Sequence, residues 1–294
     1  MTSTKIKTTC STCQDKGYVL ENKAGRLHAA ACECFQCEDC DGSGKKFNQN
    51  DRGQSYLAPC TCADFRRKLS LINESGVPGK FVDADLENYE TNKPVHPSQK
   101  RAKSRAKDFL KDFGKKGKTP QRGLAFIGGP GLGKTHLATA IVKSLILDKG
   151  VDCRFVDFFQ LLGEIRHAYS EERSDQDIMR PYIESTVLVI DELAKGRNSE
   201  WENTMLDQFI SSRYNSANKL TLFTSNFSHQ SNGKNSKNTN GGHVDTEVFA
   251  KSRNQESLQE RIGGRVHSRL VEMCDFIVME GPDYRVISKP HSHK

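Results

Sequence analysis

From residue 123 onward, short apolar runs alternate with stretches whose apolar positions recur at helical spacing. That alternation predicts a parallel sheet covered by helices on its faces. The strand-like runs are "GLAFIG" (123–128), "VDCRFVDF" (151–158), "TVLVIDE" (186–192) and "KLTLFTSN" (219–226). Between the first two, "THLATAIVKSLILDKG" sets Leu137, Ala138, Ile141, Val142 and Leu145 on one helical side and stops at Gly150. Further helices are expected near "QLLGEIRHAY" and over "WENTMLDQFISSRYNSA". Upstream, "KRAKSRAKDFLKDF" (100–113) places Ala102, Ala106, Phe109, Leu110 and Phe113 on one face under a coat of Lys and Arg. That coat reads more simply as the solvated side of a packed helix than as a nucleic-acid surface.

The pattern changes on either side of this region. Residues 1–62 show neither period and form an expected Cys-rich module, followed by a connector over 63–96. The connector holds the basic amphipathic stretch "DFRRKLSLINE" and the loop "SGVPGKF", and closes at Pro94 and Pro97. Residues 97–294 then form the second unit. Within it "SHQSNGKNSKNTNGGH" (228–243) has no apolar period and is rich in Asn, Ser and Gly, so a flexible insertion is expected there.

Eight of the ten cysteines precede residue 63, in two copies of one pattern. Cys10, Cys13, Cys32 and Cys34 follow C-x2-C-x18-C-x-C, and Cys37, Cys40, Cys60 and Cys62 follow C-x2-C-x19-C-x-C. Two thiolates two residues apart wrap a cation from a tight turn, and a second pair completes a tetrahedral site, which predicts two structural Zn²⁺ ions. A redox thiol cluster or an iron–sulfur centre is the less economical reading. A nested pairing, outer four with inner four, uses the same residues, and spacing does not separate it from the sequential one. Cys153 and Cys274 sit in apolar surroundings and are expected as inert buried thiols.

The 294-residue length suits one core of about 200 residues plus a small module. The formal charge of +7 favours polyanionic partners without requiring them. No apolar signal segment opens the chain and no run nears the roughly 20 residues of a membrane span. A cytoplasmic protein with no membrane partner is therefore expected, in a reducing compartment where cysteines serve metals rather than disulfides.

"GGPGLGKT", from Gly128 and Gly129 through Pro130, Gly131, Leu132 and Gly133 to Lys134 and Thr135, satisfies the phosphate-loop pattern between a predicted strand and a predicted helix. Its glycines let backbone N–H groups turn toward phosphate oxygens, Lys134 reaches the β and γ phosphates, and Thr135 offers a hydroxyl to Mg²⁺. His136 follows within the same binding segment. ATP and Mg²⁺ are the expected ligands. At the end of "VLVIDE", Asp191 is expected in the Mg²⁺ shell and Glu192 beside the attacking water. Asn226 ends the next strand, where its amide could touch the γ-phosphate. Arg261, Arg265 and Arg269 recur at i, i+4 and i+8, which would align them along one helical face.

Together, "GVPGKF", "LENY", "GGPGLGKTHLA", "VLVIDEL", "LDQFISSRYNSANKLTLFTSN", "RIGGRVHSRL" and "DYR" resemble the AAA+ ATPases of the DnaC/IstB-like group over roughly residues 75 to 290. The resemblance implies a P-loop AAA+ α/β core, with Lys134 and Thr135 as Walker A residues, Asp191 and Glu192 as the Walker B pair, and Asn226 as sensor 1. It implies Arg269 as the finger reaching a neighbouring subunit through self-association, with Arg265 in reserve, and Arg285 as sensor 2. The implied activity is slow, switch-like ATP hydrolysis by a loader that binds the hexameric replicative DNA helicase and single-stranded DNA. A transposition accessory ATPase on double-stranded DNA is the alternative. Several loaders of this group carry a Cys-rich segment that docks on the helicase, which implies the same role for residues 1–62.

Overall fold

The computed structural model describes residues 10–41, 43–91, 96–115, 117, 120–227 and 256–287. The expected insertion at 228–243 lies outside the described residues. Five parallel strands form the central sheet: β5 (Gly123–Gly128), β6 (Cys153–Asp157), β7 (Val187–Asp191), β8 (Leu220–Ser225) and β9 (Cys274–Met279). Their spatial order is β6-β7-β8-β5-β9, so every connection crosses over a face. Alternation along each strand divides the core in two. Leu124 and Phe126 of β5 pack on one face with Val187 and Val189, while Ala125 and Ile127 pack on the other with Leu188 and Ile190.

Helices α1 (Ala63–Glu74), α2 (Pro97–Asp112) and α3 (Lys134–Lys149) cover the first face. Helices α4 (Phe158–Ser170), α5 (Asp175–Glu184), α6 (Glu200–Tyr214) and α7 (Leu258–Met273) cover the second. A short helix α8 (Tyr284–Ile287) follows β9. The predicted one-sided apolar stripe of α3 is an underestimate. Thr139, Ala140, Lys143 and Ile146 are also buried, because α1, α2 and the 82–84 loop surround the helix. Buried Lys143 is satisfied by the carbonyls of Val82 and Ala84.

The Cys-rich segment consists of two antiparallel hairpins of the same design, β1 (Tyr18–Lys23) with β2 (Arg26–Ala31) and β3 (Lys45–Gln49) with β4 (Ser55–Pro59). Equivalent bonds recur in each: the N–H of Cys32 donates to Gly17 O at 2.9 Å and that of Cys60 to Gly44 O at 2.9 Å. A two-stranded hairpin is marginal alone, and the first leans on the ATPase core. Leu27 and Ala29 are buried against Leu69 and Ile72 of α1, and the Asn73 side chain bonds both the N–H and the carbonyl of Ala29 at 2.7 and 3.1 Å. The stretch expected as a connector thus contributes Leu69, Ile72, Val77, Leu86 and Tyr89 to the main core. The second hairpin is different. Phe47 and Leu57 are 78% and 52% exposed and lie directly opposite each other in the register.

Arg213, near the end of α6, is the largest fully buried side chain. Its guanidinium donates to the carbonyls of Ile183 at 2.8 Å, Ser185 at 2.6 Å and Leu220 at 2.5 Å, tying the end of α5 to the start of β8. Burial lowers its pKa to about 10, and the carbonyl cage rather than a carboxylate carries the charge. Arg213→Met leaves those carbonyls unpaired, and we expect a stability loss of ~2–4 kcal/mol. Chemical denaturation reads it; an unchanged midpoint would show that the cage contributes no net stability.

Candidate nucleotide and metal sites

The phosphate loop runs from the end of β5 into α3, with Gly133 at the helix N-cap in a left-handed conformation. Two side chains press on it. A Cβ at Gly133 would lie 2.4 Å from the Tyr89 ring, and one at Gly131 would lie 1.8 Å from an Asp283 carboxylate oxygen. Tyr89 Oη donates to Leu132 O at 2.8 Å, and the N–H of Tyr284 donates to Gly131 O at 3.0 Å. The loop is clamped by segments before and after it in the chain. Its glycines meet both a conformational and a steric requirement.

Lys134 Nζ donates to Gly128 O at 2.8 Å and Gly129 O at 2.5 Å. Burial pulls its pKa down to about 8, against the opposing pull of Asp191 and Glu192. Thr135 Oγ1 donates to Asp191 Oδ1 at 2.9 Å, and Thr224 Oγ1 donates to the same oxygen at 2.6 Å. A hydroxyl and a carboxylate brought together beside a phosphate loop fit a Mg²⁺ ion, a hard cation that takes oxygen ligands. Burial raises the Asp191 pKa. Glu192 follows with a positive φ of 52°, its N–H bonded to Thr224 Oγ1 at 3.0 Å and its carboxylate paired with Lys195.

Lys134, Thr135, Asp191, Glu192, Lys195 and Thr224, with Asn226 and Arg285, line one cavity of about 740 Å³, whereas Gly128 and Gly129 do not line it. Pro130, Gly131, Leu132, Gly133 and His136 line it too. Arg285 is held by Asp283 at 2.8 and 3.0 Å. Arg269 is elsewhere: it donates to Asp207 Oδ1 at 2.7 Å and Ser211 Oγ at 2.6 Å, and its guanidinium lies over the Tyr214 ring. The expected row of three arginines is broken. Gly263 has non-helical angles and kinks α7, so Arg261 turns to Ala194 O and Gly196 O while Arg265 and Arg269 share Asp207. Arg265 is 73% exposed and Arg269 20%. Sequence reasoning did not single out Thr224, Lys195 or Asp283 as site residues. Thr224 lies inside the quoted run "KLTLFTSN" and Asp283 opens the quoted "DYR", but only the fold aims them at Asp191 and the loop.

The eight N-terminal cysteines assemble in sequence order. Cys10, Cys13, Cys32 and Cys34 form one group and Cys37, Cys40, Cys60 and Cys62 the other, with all sulfurs of a group within 4.8 Å of one another. The closest sulfur pairs lie from 3.3 to 3.8 Å apart, at or a little inside the ~3.8 Å edge of a tetrahedron built on Zn–S bonds of about 2.3 Å. Backbone N–H groups of Gly17 and Gly44 donate to Cys13 and Cys40 sulfurs at 3.4 and 3.3 Å. Within the first group the shifts run both ways: the backbone at Cys13, helped by the Cys34 side chain, lowers the Cys10 pKa to about 6, whereas the Cys13 side chain and burial raise that of Cys34. Both groups fit zinc. Cys153 and Cys274 are fully buried, and burial raises both pKa values.

Comparison with known proteins agrees with this geometry. The chain is 30% identical over 166 residues to the uncharacterized protein YqaM of Bacillus subtilis, covering 54% of this chain and 51% of YqaM. It is 25% identical over 154 residues to the replicative helicase loader DnaC of Escherichia coli, covering 52% of this chain and 60% of that protein. It therefore spans between half and three-fifths of these relatives' lengths. The crystal structure of the DnaC helicase loader superposes with a TM-score of 0.52 at 29% identity, covering 68% of this chain and 99% of that one. Residues 63–236, more than half of the chain, match the family described as IstB-like ATP binding protein. With a clamped phosphate loop on a five-stranded parallel sheet and this match, the chain belongs to the IstB-like ATP-binding family and is a homologue of the DnaC helicase loaders.

Proposed function

We propose that this protein is an ATP-controlled loader that delivers a hexameric replicative helicase to single-stranded DNA. The observation that carries the reading is the joining of a full set of nucleotide-handling residues to a core that covers 99% of the chain in the crystal structure of the DnaC helicase loader. Lys134 and the loop N–H groups bind the phosphates, and Thr135 with Asp191 holds Mg²⁺. Glu192 orients water once Lys195 releases it, and Asn226 and Arg285 sense the γ-phosphate. A general base held in an ion pair suits slow, switch-like turnover. The alternative, a transposition accessory ATPase on double-stranded DNA, draws on the IstB-like family match.

Self-association through Arg269 requires it to leave Asp207 and enter a neighbour's site, and Arg265 is the exposed reserve. We expect Arg269→Ala to keep nucleotide binding yet lower hydrolysis and assembly by ~10³-fold or less, given a slow basal rate. Steady-state ATPase and sedimentation measure both. Normal turnover and assembly in Arg269→Ala, with loss in Arg265→Ala, would move the finger to Arg265.

Docking on the helicase is assigned to the second metal hairpin, whose Phe47 and Leu57 form an exposed apolar pair. Deleting residues 1–62 would also uncover Leu69 and Ile72, so point variants are the cleaner probe. In co-sedimentation with the host's replicative helicase, the wild type is expected to bind and Phe47→Asp with Leu57→Asp to lose binding. Absence of helicase binding by the wild type, with a preference for double-stranded DNA, would transfer the assignment to the transposition ATPase.

A further inference from the structure

The cavity that holds the phosphate loop is not walled by the ATPase core alone. Asn22, Gly25 and Arg26, from the turn between β1 and β2, line it together with Lys134 and Asp191. The turn is fixed in place. Gly79 N–H donates to Gly25 O at 2.8 Å, Leu27 N–H donates to Val77 O at 2.8 Å, and Arg26 forms an isolated bridge with Pro78. The approach is close enough that a Cβ at Gly79 would lie 2.1 Å from Asn22 Oδ1.

At the other end of the same two strands stands the first cysteine group, with Cys32 directly after β2. Six residues of strand separate the two ends, or about 20 Å. A two-stranded ribbon of this length has little stability of its own, so the contacts with α1, and a metal held by the cysteine group at its other end, would fix where its turn lies. Arg26 is exposed to the cavity, and no described residue holds its guanidinium by a hydrogen bond or salt bridge. It is a cation facing a site whose ligand is a polyanion. The second hairpin differs: no described residue of 37–62 lines the cavity.

We propose that the β1–β2 turn is a wall of the nucleotide site and that Arg26 contacts the bound nucleotide, so that the first cysteine group supports ATP binding while the second does not. The two metal units, alike in sequence, then divide the labour: one completes the nucleotide site and the other faces outward. The proposal rests on the cavity being the ATP site and not on which partner the protein serves.

The test titrates the full-length protein with a fluorescent ATP analogue and counts zinc in each variant. The wild type is expected to hold two zinc ions per chain. Arg26→Ala should keep both ions and its circular dichroism while binding the analogue at least about tenfold more weakly, as befits loss of a charge-assisted contact. Cys32→Ser with Cys34→Ser should lose one ion and weaken binding. Cys37→Ser with Cys40→Ser should lose one ion and leave the affinity unchanged. An Arg26→Ala affinity within about twofold of the wild type would overturn the contact, and equal weakening by the two cysteine pairs would overturn the division of labour. A wild-type zinc count near zero would remove the metal's part in it. No nucleotide binding by the wild type would refute both the wall and the ATP-site reading, whereas failure to bind a helicase with intact nucleotide binding would touch the loader reading alone.

Discussion

The clamp on the phosphate loop is the constraint on which the rest of the structure depends. Backbone N–H groups bind phosphate only if the chain between β5 and α3 holds its turn, and that turn leaves no room for side chains at Gly131 and Gly133. Tyr89 presses from the segment before the core and Asp283 with Tyr284 from the segment after β9. Ends of the chain far apart in sequence therefore meet at the loop. The arrangement also sets the Arg285 side chain, through Asp283, on the rim of the cavity.

Around that loop, charged groups are held in position by partners of their own chain. Lys134 rests on loop carbonyls, Asp191 on two threonine hydroxyls, Glu192 on Lys195 and Arg269 on Asp207. Each partner satisfies a polar group that burial would otherwise penalise. A nucleotide arriving at the loop would exchange the contacts of Lys134, Asp191 and Glu192 for its own.

The metal hairpins follow a different physics. Each is too small to bury a core, and four sulfurs replace one. The first adds Leu27 and Ala29 to the apolar layer over α1, and the second keeps its apolar residues outside. Equal spacing of cysteines thus accompanies unequal environments, because the surrounding chain and not the ligand set decides what a ribbon packs against.

The sequence by itself determined the local chemistry. Short apolar runs marked β5, β7 and β8, the glycine spacing marked the phosphate loop, and the paired C-x2-C and C-x-C knuckles marked the two cysteine groups, because each depends on residues close together in the chain. It also carried α3 and α6 as helices, but not α5, a ten-residue helix with Pro181 inside it. Only the tertiary structure decided the rest. It chose sequential over nested cysteine pairing, broke the arginine row at Gly263, buried Arg213 in a cage of carbonyls, and brought Tyr89, Asp283 and the β1–β2 turn to one cavity. Those outcomes turn on contacts between residues distant in sequence, whose geometry is set by packing the helices and ribbons against one sheet.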